Sequence, residues 1–477
     1  MKTNHPTNKT TRRRFLGTTT TAALAFQVVP GHVLGLHGAT SPNEKVRVVG
    51  IGVGGQGSHD LSEIHKTGQA DIVALCDVDW RQARGTFDRF PAAKRYKDFR
   101  QMLEEQSGCD AVVVATPDHV HAVASLAALQ RGKHVYCEKP LTHDVAEARR
   151  VATVARAKKV ATQMGNQGQA SEDTRRLCEL VWSGAIGRVR EAHVWTDRPS
   201  QGLFKEYWPQ GVERPKETPE VPADLDWNLW LGPAPERPYH PIYVPFRWRG
   251  WWDFGTGALG DIGCHAFDPV FRALKIGSPV VYPEKMTWDD SLVARAVHPV
   301  SVQASSSRVN QETFPLASTV TYEFEARGDA PSLKVVWYDG GLRPPRPAGL
   351  PDHETMGDNG RLLVGEDGFI LGTKVFPESR RREIGDVPKM LARSPGHYRE
   401  FVDACRGGRP GGSNFDWAGP LAEIVLLGNV ALRVQLREIL TTTKLQWDPA
   451  KFEFTNVSEA NAFLRRQYRT TAGEWSV

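Results

Sequence analysis

The chain has 477 residues, 40% hydrophobic and 24% charged, with a formal net charge of only +5. This is the composition of an ordinary soluble globular protein with room for two or three domains. Five Lys or Arg fall within the first fourteen residues, which hold no acid, so the body is close to neutral and gives no support to a nucleic-acid partner.

Taken in chain order, the first element is a targeting segment. Thr11-Arg12-Arg13-Arg14-Phe15-Leu16-Gly17 resembles a twin-arginine export signature, and the small-residue, weakly apolar run Thr18 to Val29 serves as its h-region. The run is short for a membrane span. A basic disordered tail leaves Phe15-Leu16 and the apolar run unexplained. Residues 1–40 are therefore predicted to be an export segment, with contact to the membrane only during export, or as an anchor if it is not cleaved near His37-Gly38-Ala39. The expected location is periplasmic or otherwise exported.

Val46 to Ile51 is an apolar, β-branched run, and Gly52-Val53-Gly54-Gly55-Gln56-Gly57 follows it directly. About twenty residues later, Ile72 to Cys76 ends in Asp77. The pattern predicts strand, glycine turn, helix, strand and ribose acid, with Gly52 in the tight turn, Gly54 beside a pyrophosphate and Gly57 at a close helix-to-strand contact. Gly55 and Gln56 complete the phosphate loop. A carboxylate at Asp77 favours NAD over NADP, because it accepts ribose hydroxyls and repels a 2′-phosphate.

Strands at Ala111 to Ala115, Val135 to Cys137 and Val160 to Met164, with an Ala-rich helix over Ala122 to Gln130, extend this into a doubly wound parallel sheet. The Rossmann domain is placed at residues 45–165. An amphipathic helix over Ser171 to Ser183 and a strand over Val189 to Thr196 open the second domain. Pro199 to Pro245 is dense in proline and predicts an irregular excursion. Runs at Ser301 to Ser305, Ala317 to Glu325, Leu333 to Tyr338, Gly360 to Val364 and Gly368 to Gly372 predict a mainly antiparallel open sheet, and Leu421 to Ile439 a long helix. The second domain is thus an α+β unit over residues 166–440, with 441–477 as a C-terminal extension.

Thr116-Pro117-Asp118-His119-Val120-His121 and Glu138-Lys139-Pro140 each stand at the carboxyl end of a predicted strand, where open α/β sheets bind ligands. With the glycine fingerprint and Asp261-Ile262-Gly263-Cys264-His265, they resemble the Gfo/Idh/MocA family of NAD(P)-dependent oxidoreductases, from about Val46 to Leu440. The resemblance implies a Rossmann domain joined to a C-terminal α+β domain, and catalytic roles for Lys139, Asp261 and His265. It also implies a nucleotide near Thr116, Pro117, His121, Glu138 and Lys139, and a cis Lys139-Pro140 bond.

The chemistry fits alcohol oxidation. Loss of a hydride from a carbinol carbon needs the hydroxyl proton removed and the oxygen stabilised. His265 is the expected base. Lys139, its pKa lowered by a cationic nicotinamide, bridges hydroxyl and cofactor, and Asp261, one turn before His265, orients substrate or fixes the imidazole. The duller alternatives are a surface Lys139 paired with Glu138, and an N-cap and helix histidine at 261 and 265, or half a metal site through i, i+4 spacing. No metal is expected. His119 is expected to be solvent-facing or structural.

Nine aromatics between Trp227 and Phe254 interleave with Arg237, Arg247 and Arg249. They suit a carbohydrate pocket, with Trp248, Arg249, Trp251 and Trp252 beside Asp261 and His265, and they suit equally a packed interface. The six cysteines lack Cys-x-x-Cys spacing and predict buried thiols. The leading function is an exported NAD-dependent oxidoreductase acting on a hydroxyl of a sugar, glycoside or polyol, a homo-oligomer through its C-terminal sheet. The alternatives are a redox-neutral NAD-dependent glycosidase and a non-catalytic sugar-binding protein.

Overall fold

The computed structural model describes residues 44–200, 205–278, 280–285, 288, 295–436, 442–469 and 475. The expected export segment and the expected helix end at Ile439 lie outside them. One compact body runs from Val46 to Val477.

Its first half alternates strand and helix: β1 (Val46–Ile51), α1 (Gly55–Lys66), β2 (Ala70–Cys76), α2 (Trp80–Arg89), β3 (Lys94–Tyr96), α3 (Phe99–Glu105), β4 (Ala111–Val114), α4 (Asp118–Gln130), β5 (His134–Cys137), α5 (Val145–Lys158) and β6 (Thr162–Met164). The six strands are parallel in the order β3-β2-β1-β4-β5-β6, which reverses direction between β1 and β4. All four residues of β4 are buried, as a strand covered by helices on both faces requires. Register then places the chemistry. Ile51 sits opposite Cys76 and Val114, and Val114 opposite Cys137. The residues immediately beyond them, Gly52, Asp77, Thr116 and Lys139, therefore share one edge of the sheet.

After α6 (Glu172–Trp182), the strand β7 (Val189–Trp195) starts a second sheet, and among its described residues the proline-dense excursion holds one short helix, α7 (Trp227–Leu231). Next come α8 (Gly257–Leu274), β8 (Ser301–Ser306), β9 (Ser318–Phe324), β10 (Leu333–Tyr338), β11 (Gly360–Gly365), β12 (Phe369–Leu371) and β13 (Lys374–Phe376). The short α9 (Glu378–Ile384), α10 (His397–Cys405), α11 (Phe415–Val434), β14 (Leu445–Asp448) and β15 (Glu453–Phe454) complete the body. The order is β13-β12-β11-β7-β10-β9-β8-β14-β15, antiparallel except for β7 beside β10. Residues 445–454 thus form its far edge.

The apolar helix α11 is long enough to cross a membrane, but its length is buried against α5, α8 and β8. Phe267 and Phe271 of α8 and Leu421, Val425 and Leu427 of α11 share the main core, each worth about 1.5–3 kcal/mol when buried. A charged pair holds the same junction. Asp268 accepts two hydrogen bonds from Arg272 at 2.9 Å, one from Trp417 Nε1 at 2.7 Å and one from Asn166 Nδ2 at 3.0 Å. It locks α8 to α11 and to the loop after β6.

Several boundaries differ from expectation. The helix predicted from Ala122 begins at Asp118, because Pro117 fits ahead of its first turn and Asp118 suits the N-terminal dipole. The last Rossmann strand starts at Thr162, not Val160, and α11 begins at Phe415 rather than Leu421, capped by the Asn414 side chain and with Pro420 inside it. β3, β13, β14 and β15 are too short to show a period. Of the six cysteines, five are buried, Cys405 is partly so, and none is bonded to another.

Candidate active site

At the shared sheet edge, a cavity of about 360 Å³ is lined by Gly52, Gly54, Gly55, Gln56, Asp77, Thr116, Pro117, Glu138, Lys139, Trp248, Arg249 and His265. Gly52 adopts a φ of +75°, and a Cβ on Gly57 would lie 2.0 Å from the Gly52 carbonyl oxygen, so α1 closes on the turn only with glycine there. The room at Gly54 serves α2, since a Cβ there would meet Gln82 at 3.0 Å. These positions fit a dinucleotide phosphate cradle at the N-terminus of α1.

Asp77 first braces that cradle. Its carboxylate accepts from Val53 N at 2.8 Å, Gly54 N at 3.0 Å and Asp79 N at 2.9 Å, leaving acceptor capacity for ribose. Arg81, the nearby cation that would favour a 2′-phosphate, is turned to Asp79 at 3.1 Å. Among the lining residues not singled out from sequence are Asp118 and Trp475. Asp118 accepts from Thr256 Oγ1 at 2.6 Å, while its buried Oδ1 has no partner and awaits a donor. Trp475 joins Lys97, Asp98 and Phe99 at one end, its ring 6.1 Å from that of Phe99 and 4.5 Å from the Arg100 guanidinium. Its signal lay too far along the chain to be connected with a turn at residue 52.

At the other end, Lys139 donates to Asp261 Oδ1 at 2.7 Å, and Arg249 Nε donates to the same oxygen at 3.0 Å. The Lys139-Pro140 bond is cis. Burial pulls the Lys139 pKa down, but the Asp261 and Glu138 carboxylates more than offset that and raise it; the lowering expected from a cationic nicotinamide is a separate contribution. Burial alone would push Asp261 up, yet Lys139 and Arg249 hold it well below the usual carboxylate range. Asp261 is thus committed to these two cations and makes no hydrogen bond to the imidazole. Burial and the Lys139 charge bring His265 down to about 3, so it is neutral, the state a base requires, and only weakly basic while Lys139 stays charged beside it.

The predicted site residues divide. Thr116, Pro117, Glu138, Trp248 and Arg249 line the cavity, with Glu138 accepting from Gln167 at 2.8 Å and Arg249 stacked over Trp248 at 4.3 Å. His121 does not. It is buried between the Pro140 and Thr116 carbonyl oxygens, at 2.7 and 2.9 Å, and holds the two strand-end loops together. Two acceptors call for two N–H groups; although burial opposes charge, Cys137, Asp118 and the Pro140 carbonyl raise His121 to about 10. His119 is likewise fully buried rather than solvent-facing, against the Phe254 and Trp230 carbonyls. Trp251 lies in the core of the excursion, in a cluster with Trp230, Tyr239, Tyr243 and Phe254, and Trp252 lines a different cavity. Most of the aromatic run is packing, because Trp230, Tyr243, Trp251 and Phe254 pack edge to face on one another and are buried together.

Residues 46–166 match the Gfo/Idh/MocA model described as an oxidoreductase family NAD-binding Rossmann fold, and residues 172–283 match that family's C-terminal alpha/beta domain. These two stretches, together just under half of the chain, resemble the two domains of that family. Inositol 2-dehydrogenase 4 of Saccharopolyspora erythraea is 34% identical over 154 residues, 32% of this chain and 45% of the relative. The chain spans less than half the length of the curated relatives it matches. Among solved Gfo/Idh/MocA-like folds, the WlbA dehydrogenase from Bordetella pertussis, in complex with NADH and UDP-GlcNAcA, has a TM-score of 0.54 at 16% identity, over 85% of this chain and 99% of its own. The aldose-aldose oxidoreductase from Caulobacter crescentus, complexed with glycerol, has a TM-score of 0.51 at 15% identity, over 84% and 100%. These two share the fold.

Proposed function

We propose that this protein oxidises a hydroxyl of a sugar, glycoside or polyol with a tightly held NAD, after export by the twin-arginine route. The observation that carries the reading is one cavity lined both by the phosphate cradle with Asp77 and by Lys139 and His265, with Asp261 held against Lys139 at 2.7 Å. The names of the relatives, inositol 2-dehydrogenases among them, point to the same substrate class.

A nicotinamide bound here supplies a hydride acceptor. The chain's own groups handle the proton and the charge. Neutral His265 accepts the hydroxyl proton, while the Lys139 ammonium donates a hydrogen bond to the oxygen as negative charge develops on it. Asp261 holds Lys139 in position and keeps it charged, and Arg249 shares that carboxylate so that two cations face the substrate. The donors suit hydroxyl-rich ligands.

NAD is favoured over NADP because Asp77 occupies the ribose end and Arg81 is engaged by Asp79. Burial raises Asp77 to about 6 against the pull of the Asp79, Gly54 and Val53 amides. Ribose hydroxyls donate to the ionised form, so binding at low pH must first expel a proton. NAD affinity should hold above this value and weaken about tenfold for each pH unit below it. Calorimetric titration of nucleotide-free protein across that range checks this, and Asp77→Asn should flatten the dependence.

The export and retention parts rest on Arg12-Arg13 ahead of Phe15-Leu16, since the route is associated with cargo folded around its cofactor. Replacing both arginines by lysine should leave the protein in the cytoplasmic fraction. Dialysed wild-type enzyme should turn over paired sugar substrates with no added NAD. Export that persists in the variant, or activity wholly dependent on added NAD, overturns this part and leaves a dehydrogenase with exchanging cofactor.

A further inference from the structure

A second cavity, about 560 Å³, is lined by the 252–255 segment, the start of α5, α11 and the 461–467 segment. Its lining is rich in cations, Arg433, Arg465 and Arg466, beside a His143 that burial and Arg466 keep neutral. The acids that also line it are already engaged. Asp253 pairs with Arg237, and Asp144 accepts from the Glu147 and Arg466 backbone amides. Arg433 is different. It projects from a helix of the core, its guanidinium 5.3 Å from the Trp252 ring and 5.2 Å from the Phe463 ring, and among the described residues it has no hydrogen-bond or ion-pair partner. Its Nε is buried without an acceptor, which is costly, and its two Nη groups remain open to a ligand in the cavity. Other orphans face the same space. Arg466 Nη1 and both ring nitrogens of His143 are buried without partners, and Asn429, whose Nδ2 donates to Thr256 O at 2.9 Å, leaves its Oδ1 buried and unsatisfied.

We propose that this cavity binds a small sugar acid, its carboxylate on Arg433 and a hydroxyl donating to Asn429 Oδ1. Unpaired donors call for an oxyanion, and an unpaired amide oxygen beside them calls for a donor on the same ligand; a hydroxy acid carries its hydroxyl several bonds from its carboxylate, whereas phosphate has both on one centre. The site bears on the catalytic helix. Asn429 holds the Thr256 carbonyl, Thr256 holds Asp118, and Thr256 immediately precedes α8 with Asp261 and His265. Binding here does not depend on the proposed oxidation, so the two readings can fail separately.

The test is calorimetry of the full chain with galacturonate, gluconate and inorganic phosphate. A sugar acid should bind wild type, and Arg433→Met, which keeps the stem volume, should weaken it by about tenfold or more. Lys139→Ala should leave it unchanged, which separates this site from the catalytic one. In the ligand-free state Arg433→Met should melt no lower than wild type, because the charge it removes is unpaired. The proposal is overturned if neither sugar acid binds, if phosphate alone binds, if binding survives Arg433→Met but fails in Lys139→Ala, or if Arg433→Met destabilises the empty protein.

Discussion

Lys139→Ala lowers the turnover number by about 10²–10⁴-fold and leaves nucleotide affinity within about threefold of wild type. The reasoning follows the ion pair. Asp261 retains Arg249 at 3.0 Å when the lysine is lost, so the carboxylate is not stranded and the fold is not strongly perturbed. The glycine turn and Asp77 are untouched. What disappears is the cation facing the reacting oxygen, while His265 stays in place and loses one of the charges that depress its basicity. Steady-state kinetics on carbohydrate substrates, with nucleotide binding measured alongside, reads the two effects separately. Turnover above a tenth of wild type would end the catalytic assignment of Lys139.

Asp268→Ala destabilises the protein by about 3–5 kcal/mol. Asp268 and Arg272 are 1% and 0% exposed, and removal of the carboxylate leaves a buried guanidinium with only the Val281 and Gly412 carbonyls as acceptors. It also strands Trp417 Nε1 and the Asn166 amide. Denaturant unfolding should show a lower midpoint with unchanged slope. Asp268→Ala with Arg272→Met should recover part of the loss, because no unpaired charge remains. A loss below about 1 kcal/mol would mean that apolar packing, not this pair, fixes α8.

The parts of the molecule written locally were legible in the sequence. A β-branched run, a glycine turn and an acid at fixed spacing gave β1, α1 and Asp77, and parallel register brought Thr116 and Lys139 to the same edge. Asp261 and His265 followed from one helical turn. What failed depends on contacts between distant segments. Whether Trp248 or Trp252 faces the cavity is set by how the excursion folds over Phe314 and Val244, and periodicity does not describe proline-rich loops. His121 looked like a ligand residue because it stands in a ligand-binding segment, but its partners, Pro140 and Thr116, show that it braces two loops. The charge state of Lys139 turned on Asp261, 122 positions away.

Trp475 joins a cavity whose other walls are built from residues 51–265. A ribosome has released the glycine turn, Asp77, Lys139 and His265 long before that indole emerges. The wall at Lys97, Asp98 and Phe99 therefore closes only once Trp475 has followed the other lining residues out of the ribosome. Replacing Trp475 by alanine should weaken nucleotide retention without touching the glycine fingerprint.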